Sequence, residues 1–214
     1  MKENYLKIIF VIDESGSMQG TESDVIGGFN NFIEKQKTEH QGKISVSLYK
    51  FNSSWSRVLN DLPIEEIRPL TNGDYTPGGL TALYDTIGNA ITDIENQAKY
   101  TKREHKASMV MMVIITDGQE NASREYDSRK VKEMIQELEK SINWQFIYLG
   151  ADLNNFADAE ILGLKNKVTS KKKDMRKKFD VISDHSIRFR MADPDQDQDS
   201  MWNDFMCDLG SDED

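Results

Sequence analysis

The segment Asp13-Glu14-Ser15-Gly16-Ser17 sets one carboxylate and two hydroxyls at alternate positions, with Gly16 free to let the chain turn sharply. Oxygens spaced this way can be aimed at one point. That is what a hard cation needs: Mg²⁺ takes oxygen ligands at about 2.0–2.1 Å in an octahedron, with water in the positions the protein leaves open. Two distant stretches carry groups that would extend the set. Thr81, in Gly78-Gly79-Leu80-Thr81-Ala82-Leu83, stands at the mouth of a predicted helix and offers a third hydroxyl. Asp117, in Ile115-Thr116-Asp117-Gly118, offers a second carboxylate. Asp-x-Ser-x-Ser alone is an ordinary strand-to-loop turn, so the case depends on whether the fold brings the three stretches together.

The elements that must do so alternate along the chain. Tyr5–Asp13 is largely apolar and rich in β-branched residues, as a strand covered on both faces should be. Asp24–Lys37 shows helical spacing of Val25, Ile26, Phe29, Phe32 and Ile33, with Gly42 beyond its end. Lys43–Phe51 reads as a second strand and Ser54–Asn60 as a third, joined by so short a turn that the pair must be antiparallel. Residues 69–79 form a loop, followed by a helix with Leu83, Ile87, Ala90, Ile91, Ile94 and Ala98 on one face. Ala107–Thr116 is the most apolar strand, and Ser128–Ile142 is an amphipathic helix with Ser128 as its expected N-cap. Trp144–Gly150 is a strand, Asn155–Leu162 a short helix ended by Gly163, and Lys167–Thr169 a last short strand. Ser170 is placed to cap a final helix carrying Met175, Phe179 and Ile182.

This alternation predicts a doubly wound three-layer α/β/α sandwich whose six-stranded sheet is mainly parallel, with one antiparallel edge strand. In the strand order 3-2-1-4-5-6, strands one and four meet at the topological switch point, where ligands bind outside the carboxyl ends. Asp13 closes strand one and Asp117 closes strand four.

With these pieces in order, the chain resembles the von Willebrand factor A family over roughly residues 5–190. That family's metal-ion-dependent adhesion site is written Asp-x-Ser-x-Ser, then a Thr, then an Asp, matched here by Asp13, Ser15, Ser17, Thr81 and Asp117. Gly-Gly-Leu-Thr-Ala-Leu-Tyr-Asp and Ile-Thr-Asp-Gly-Gln-Glu-Asn are more similar to intracellular prokaryotic and phage members than to integrin-type ones. The resemblance implies Mg²⁺ as cofactor, with Mn²⁺ or Ca²⁺ able to substitute. Ser15 and Ser17 would bind it directly, Asp13, Thr81 and Asp117 directly or through water. It also implies a protein partner that completes the coordination with an Asp or Glu, and a binding module in place of an enzyme.

Composition bounds the alternatives. The 214 residues, 37% hydrophobic and 30% charged, suit one sizeable soluble domain. Met109 to Ile115 is the longest apolar run, too short to span a bilayer, and no secretory pattern is visible, so no membrane role is expected. A lone cysteine, Cys207, excludes an internal disulfide, and cytoplasmic residence is the default expectation. The competing function is a metal-dependent phosphoester hydrolase using Asp13 and Asp117. Its weakness is Ser15, which stands where dehalogenase-type phosphatases carry a second Asp, and His40, His105 and His185 are expected as scattered surface residues.

Nine of the ten net negative charges lie in residues 192–214, leaving residues 1–191 near −1. The domain is therefore assigned to 1–191, with 192–214 an acidic tail, disordered or docking. Five aspartates there, Asp193 to Asp204, imitate a calcium loop but lack its Gly and its final Glu. Trp202, Phe205, Met206 and Leu209 fall at helical spacing, either folding back on the domain or engaging a partner groove. Eight Lys/Arg in 165–178 read as a solvated helix face, and no nucleic-acid partner is expected.

Overall fold

The sheet runs β3-β2-β1-β4-β5-β6. Its strands are β1 (Tyr5–Asp13), β2 (Lys43–Phe51), β3 (Trp55–Pro63), β4 (Met109–Thr116), β5 (Trp144–Gly150) and β6 (Lys167–Thr169). A computed structural model describes residues 4–39, 42–140, 144–150, 157–169, 174–192 and 198–210. Every pairing is parallel except β2 with β3. β1 and β4 are neighbours in the middle, with Ile12 opposite Ile115, so Asp13 and Thr116 finish side by side.

Alternation along β1 builds both cores. Leu6, Ile8, Phe10 and Ile12 face helices α1 (Glu22–Thr38) and α5 (Met175–Met191). Ile9 and Val11 face α2 (Leu83–Tyr100) and α3 (Ser128–Glu139). Because both faces are covered, eight of the nine residues of β1 and all eight of β4 are buried, which is why these strands read as unbroken apolar runs. Gly28 lets α1 and α5 approach: a methyl there would sit 2.5 Å from the Phe179 ring. Its neighbour Gly27 has open space around it and plays no such part.

Several local expectations are corrected. β3 continues to Pro63 because the register with β2 shifts around Leu48, absorbing an irregularity that ends the simple alternation. α3 is capped by Asp127, not Ser128, since the Asp127 carboxylate accepts the Lys130 amide at 2.8 Å. α5 has Asp174 at its N-cap position; Ser170 and the lysines 171–173 lie outside the described residues, as does His40. The short α4 (Ala157–Ile161) precedes Gly163, whose φ of 72° ends it.

The greatest departure concerns the tail. Gln198–Gly210 forms helix α6, with Phe205 2% and Leu209 0% exposed in the same core as Met109, Met111 and Phe189. Trp202 and Met206 are half-buried beside them. Phe205 and Leu209 thus fold back on the domain, one of the two outcomes expected of this stripe, with Trp202 and Met206 at its margin. Lys178, expected on a solvated face, is 3% exposed, and its Nζ donates to the Leu209 carbonyl at 2.7 Å, satisfying an end of α6. His185 is likewise buried, its Nε2 2.7 Å from Asp208 of α6. Asp199 and Asp204 lie within that helix, and the remaining aspartates of the would-be calcium loop fall outside the described residues.

Candidate metal centre

Beyond β1 the chain turns through a single 3-10 turn, Gly16–Met18. The Asp13 carboxylate organises it: Oδ1 accepts the Ser15 amide at 2.7 Å, while Oδ2 accepts the Thr116 hydroxyl at 2.6 Å from the neighbouring strand. Ser15 Oγ lies 2.9 Å from Ser17 Oγ. Asp13, Ser15 and Thr81 are 0%, 2% and 3% exposed, whereas Ser17 opens to solvent. Asp117 is half-buried, with its Oδ1 enclosed.

Gly118 locates the centre of this arrangement. A methyl group on it would lie 2.9 Å from Thr81 Oγ1, 3.2 Å from Ser17 Oγ and 3.3 Å from Asp13 Oδ2. Three oxygens from two separate stretches thus lie around one point on the third stretch, and only a residue without a side chain leaves that point open. Ser15 adjoins through Ser17, and Asp117 is next in sequence to Gly118. All five sequence-predicted donors therefore gather at the carboxyl ends of β1 and β4.

The electrostatics of the site suit a positive charge beside its carboxylates. Burial pushes the Asp13 carboxyl above its ordinary range, hydrogen bonds from Thr116 and Ser15 pull it back, and the nearby Asp117 raises it further. Two carboxylates and three hydroxyls make an all-oxygen set suited to a hard divalent cation. Among the described residues no group of three or more His, Cys, Asp or Glu is placed to hold a metal ion. His105 is exposed at the far end of β4, and His185 is engaged with α6.

The residues that hold the donors in place were not evident from sequence. α2 has Ala82 at its N-cap position and no capping side chain of its own. The loop after β4 supplies the caps instead: Glu120 Oε2 accepts the Tyr84 amide and Ser123 Oγ accepts the Asp85 amide, both at 2.9 Å. In return the Asp85 carboxylate accepts the amides of Arg124, Glu125 and Tyr126, each at 2.8 Å. Asn121 binds Thr81 on both sides, accepting its amide at 2.9 Å and donating its own to the Thr81 carbonyl at 3.0 Å. Glu14 performs the same service for the first loop, pairing with Lys50 at 2.9 Å and accepting the Thr76 amide at 2.5 Å. The one sequence signal was Asp85, an acid in the first turn of a helix whose apolar face continues past it.

Comparison with known proteins agrees with this architecture. A family model for the von Willebrand factor type A domain matches residues 7–187. None of the curated proteins matches the sequence. Among solved structures, the PilB minor pilin of Streptococcus sanguinis aligns with a TM-score of 0.61 at 13% identity, covering 88% of this chain and 62% of the pilin. Proximal thread matrix protein 1 of the mussel byssus, with a zinc-occupied MIDAS motif, aligns at 0.55 and 15% identity, covering 86% of this chain and 46% of that one. The manganese-loaded TRAP protein of Plasmodium vivax aligns at 0.53 and 14% identity, covering 82% and 72%. The chain thus spans less than two thirds of the pilin and under half of the thread protein, and identities this low speak for the fold alone. With a family match over most of its length, an adhesion-site sequence motif in order and the expected sheet, the chain belongs to the von Willebrand factor type A domain family.

Proposed function

We propose that the protein binds Mg²⁺ at Asp13, Ser15, Ser17, Thr81 and Asp117 and uses it to hold a partner protein through an Asp or Glu of that partner. The observation carrying this reading is the ring of Thr81, Ser17 and Asp13 oxygens around Gly118. The names of two structural relatives, one manganese-loaded and one with a zinc-occupied MIDAS motif, lend support for a divalent ion in this fold. A bound ion would offset the repulsion between Asp13 and Asp117 and present positive charge to an incoming carboxylate. The protein residues contribute fixed geometry. Asp13 has both oxygens engaged, by Ser15 and Thr116, which suits a static ligand better than a nucleophile or proton carrier, so binding is favoured over hydrolysis. With its single cysteine, the protein suits a reducing compartment, and we place it in the cytoplasm.

Immobilised wild-type protein should retain a partner in Mg²⁺ and release it in EDTA, with Asp13→Ala behaving like the EDTA sample. Replacing the partner's critical acid by its amide should lower affinity by at least about tenfold, the scale of a lost charge-assisted contact. A partner held equally well in EDTA, or by Asp13→Ala, overturns the proposal.

Asn121 supplies a second check, because it acts on Thr81 and not on the ion. Asn121→Ala should weaken Mn²⁺ binding, read by calorimetry, by about 10–100-fold, the usual effect of removing a group that orients a ligand. Unfolding of the metal-free protein should change little, since position 121 is exposed and water can replace the lost acceptor. Asn121→Asp, which keeps the acceptor, should restore binding.

A further inference from the structure

At the other end of the sheet, about 20 Å back along β1 at 3.3 Å per residue, lies a cavity of about 350 Å³. It opens between the start of β1, the last turns of α2 and α3, and the start of β5, with Ile94, Val110, Leu138 and Trp144 among its walls. Its size falls within the usual range for small-ligand sites. Lys7 is the odd residue there: a cation only 8% exposed in a strand that is otherwise apolar from Leu6 to Ile12.

An elaborate polar arrangement keeps that cation in place. Lys7 Nζ donates to Asp61 Oδ2 at 2.9 Å and to Gln97 Oε1 at 3.3 Å, which uses two of its three protons. Asp61 also accepts the Ser45 hydroxyl at 2.6 Å and donates its amide to the Ser47 hydroxyl at 2.9 Å. It has a φ of 52°, the sole positive value among described residues other than glycine, on the strand whose register with β2 slips. Backbone strain of this kind costs on the order of 1–3 kcal/mol and gathers at functional sites. A buried ion pair is seldom more stabilising than apolar packing of the same volume. Strand, bulge and strained residue together hold a charge at a cavity wall that packing alone would have filled with an apolar side chain. At the mouth Lys99 and Lys106 are exposed, outweighing Glu95.

We propose that this cavity binds a small monocarboxylate with a compact apolar or aromatic body. The carboxylate takes the remaining Lys7 donor, with Lys99 and Lys106 drawing it in, and the body lies against Trp144, Leu138 and Val110. The site is separate from the metal cradle and independent of it.

The test titrates three probes of one shape and different charge, benzoate, benzamide and benzylamine, followed by saturation-transfer NMR and calorimetry on the full chain. Benzoate should bind saturably and at least about tenfold more tightly than benzamide, the difference a charge-assisted hydrogen bond makes, and benzylamine should bind least. Ala98→Leu, which places a larger side chain in the cavity, should abolish benzoate binding. Lys7→Met should bring benzoate down to the benzamide level, and serves as the control should Ala98→Leu unfold early. Addition of Mg²⁺ or the change Asp13→Asn should leave all three affinities unchanged. Absence of saturable benzoate binding, equal affinity for benzoate and benzylamine, or full binding by either cavity variant overturns the proposal.

Discussion

The unfolding curves of wild type and Asp13→Asn are expected to cross when Mg²⁺ is added. In EDTA the variant should be the more stable protein, because Asp13 is fully buried and its charge is opposed by burial and by Asp117. Asn keeps the shape and can still accept the Ser15 amide. In Mg²⁺ at about 100 times its dissociation constant, wild type gains about 2.7 kcal/mol. For a chain of this length that moves the midpoint up by roughly 5–10 °C, and the variant should not follow. The pH dependence gives a further check on the metal-free proteins. A carboxyl raised in the folded state destabilises it fully above the folded value, and the penalty disappears as pH falls toward the ordinary 3.8. The advantage of Asp13→Asn in EDTA should therefore shrink on acidification. Parallel Mg²⁺ shifts in both proteins would falsify the five-residue site, whatever their absolute stability.

Removing the chain beyond Ala192 should lower stability by several kcal/mol and the unfolding midpoint by roughly 5–10 °C. Phe205 and Leu209 are buried, and their loss forfeits about 1.5–3 kcal/mol each before the freed chain entropy is returned. Lys178 would lose its Leu209 acceptor at 2.7 Å, but removal of α6 also uncovers its ammonium to water, so the packing loss dominates. Phe205→Ala isolates the packing contribution without removing acidic residues, and should account for about 3 kcal/mol or more. Near-ultraviolet circular dichroism should change with it, since Trp202 packs edge-on against Phe205 at 5.1 Å. An unchanged midpoint after truncation would mean that α6 stands apart from the core and is available to a partner.

What could be read from the residues follows from how each element is stabilised. β1, β2, β5 and β6 have the bounds expected of them; for β1 the reason is that a strand buried on both faces announces itself as an apolar run with an abrupt polar end, here Asp13. That the five proposed donors would lie at one end of the sheet was legible for a related reason: each sits near the end of an element whose position follows from the alternation. The supports of the donors were not. Glu120, Asn121, Ser123 and Asp85 act through backbone amides of distant residues, and such bonds impose no residue pattern on the partner. The tail left two readings open for a different reason. Its described acids, Asp199, Asp204 and Asp208, are exposed, while Phe205 and Leu209, four residues apart, form a narrow stripe whose receiving surface on α5 and β4 is assembled only in three dimensions. Lys178 and His185 share that cause, since a charged residue on α5 becomes interior only once α6 covers it.

The two borders of the sheet have a consequence for how copies of this protein meet. One is β3, broken by the register slip, turned at Asp61 and ended by Pro63; the other is β6, three residues long. Neither presents a long flat row of unsatisfied amides on which a second molecule could extend the ribbon. Polymerisation by strand addition is thereby discouraged at both flanks.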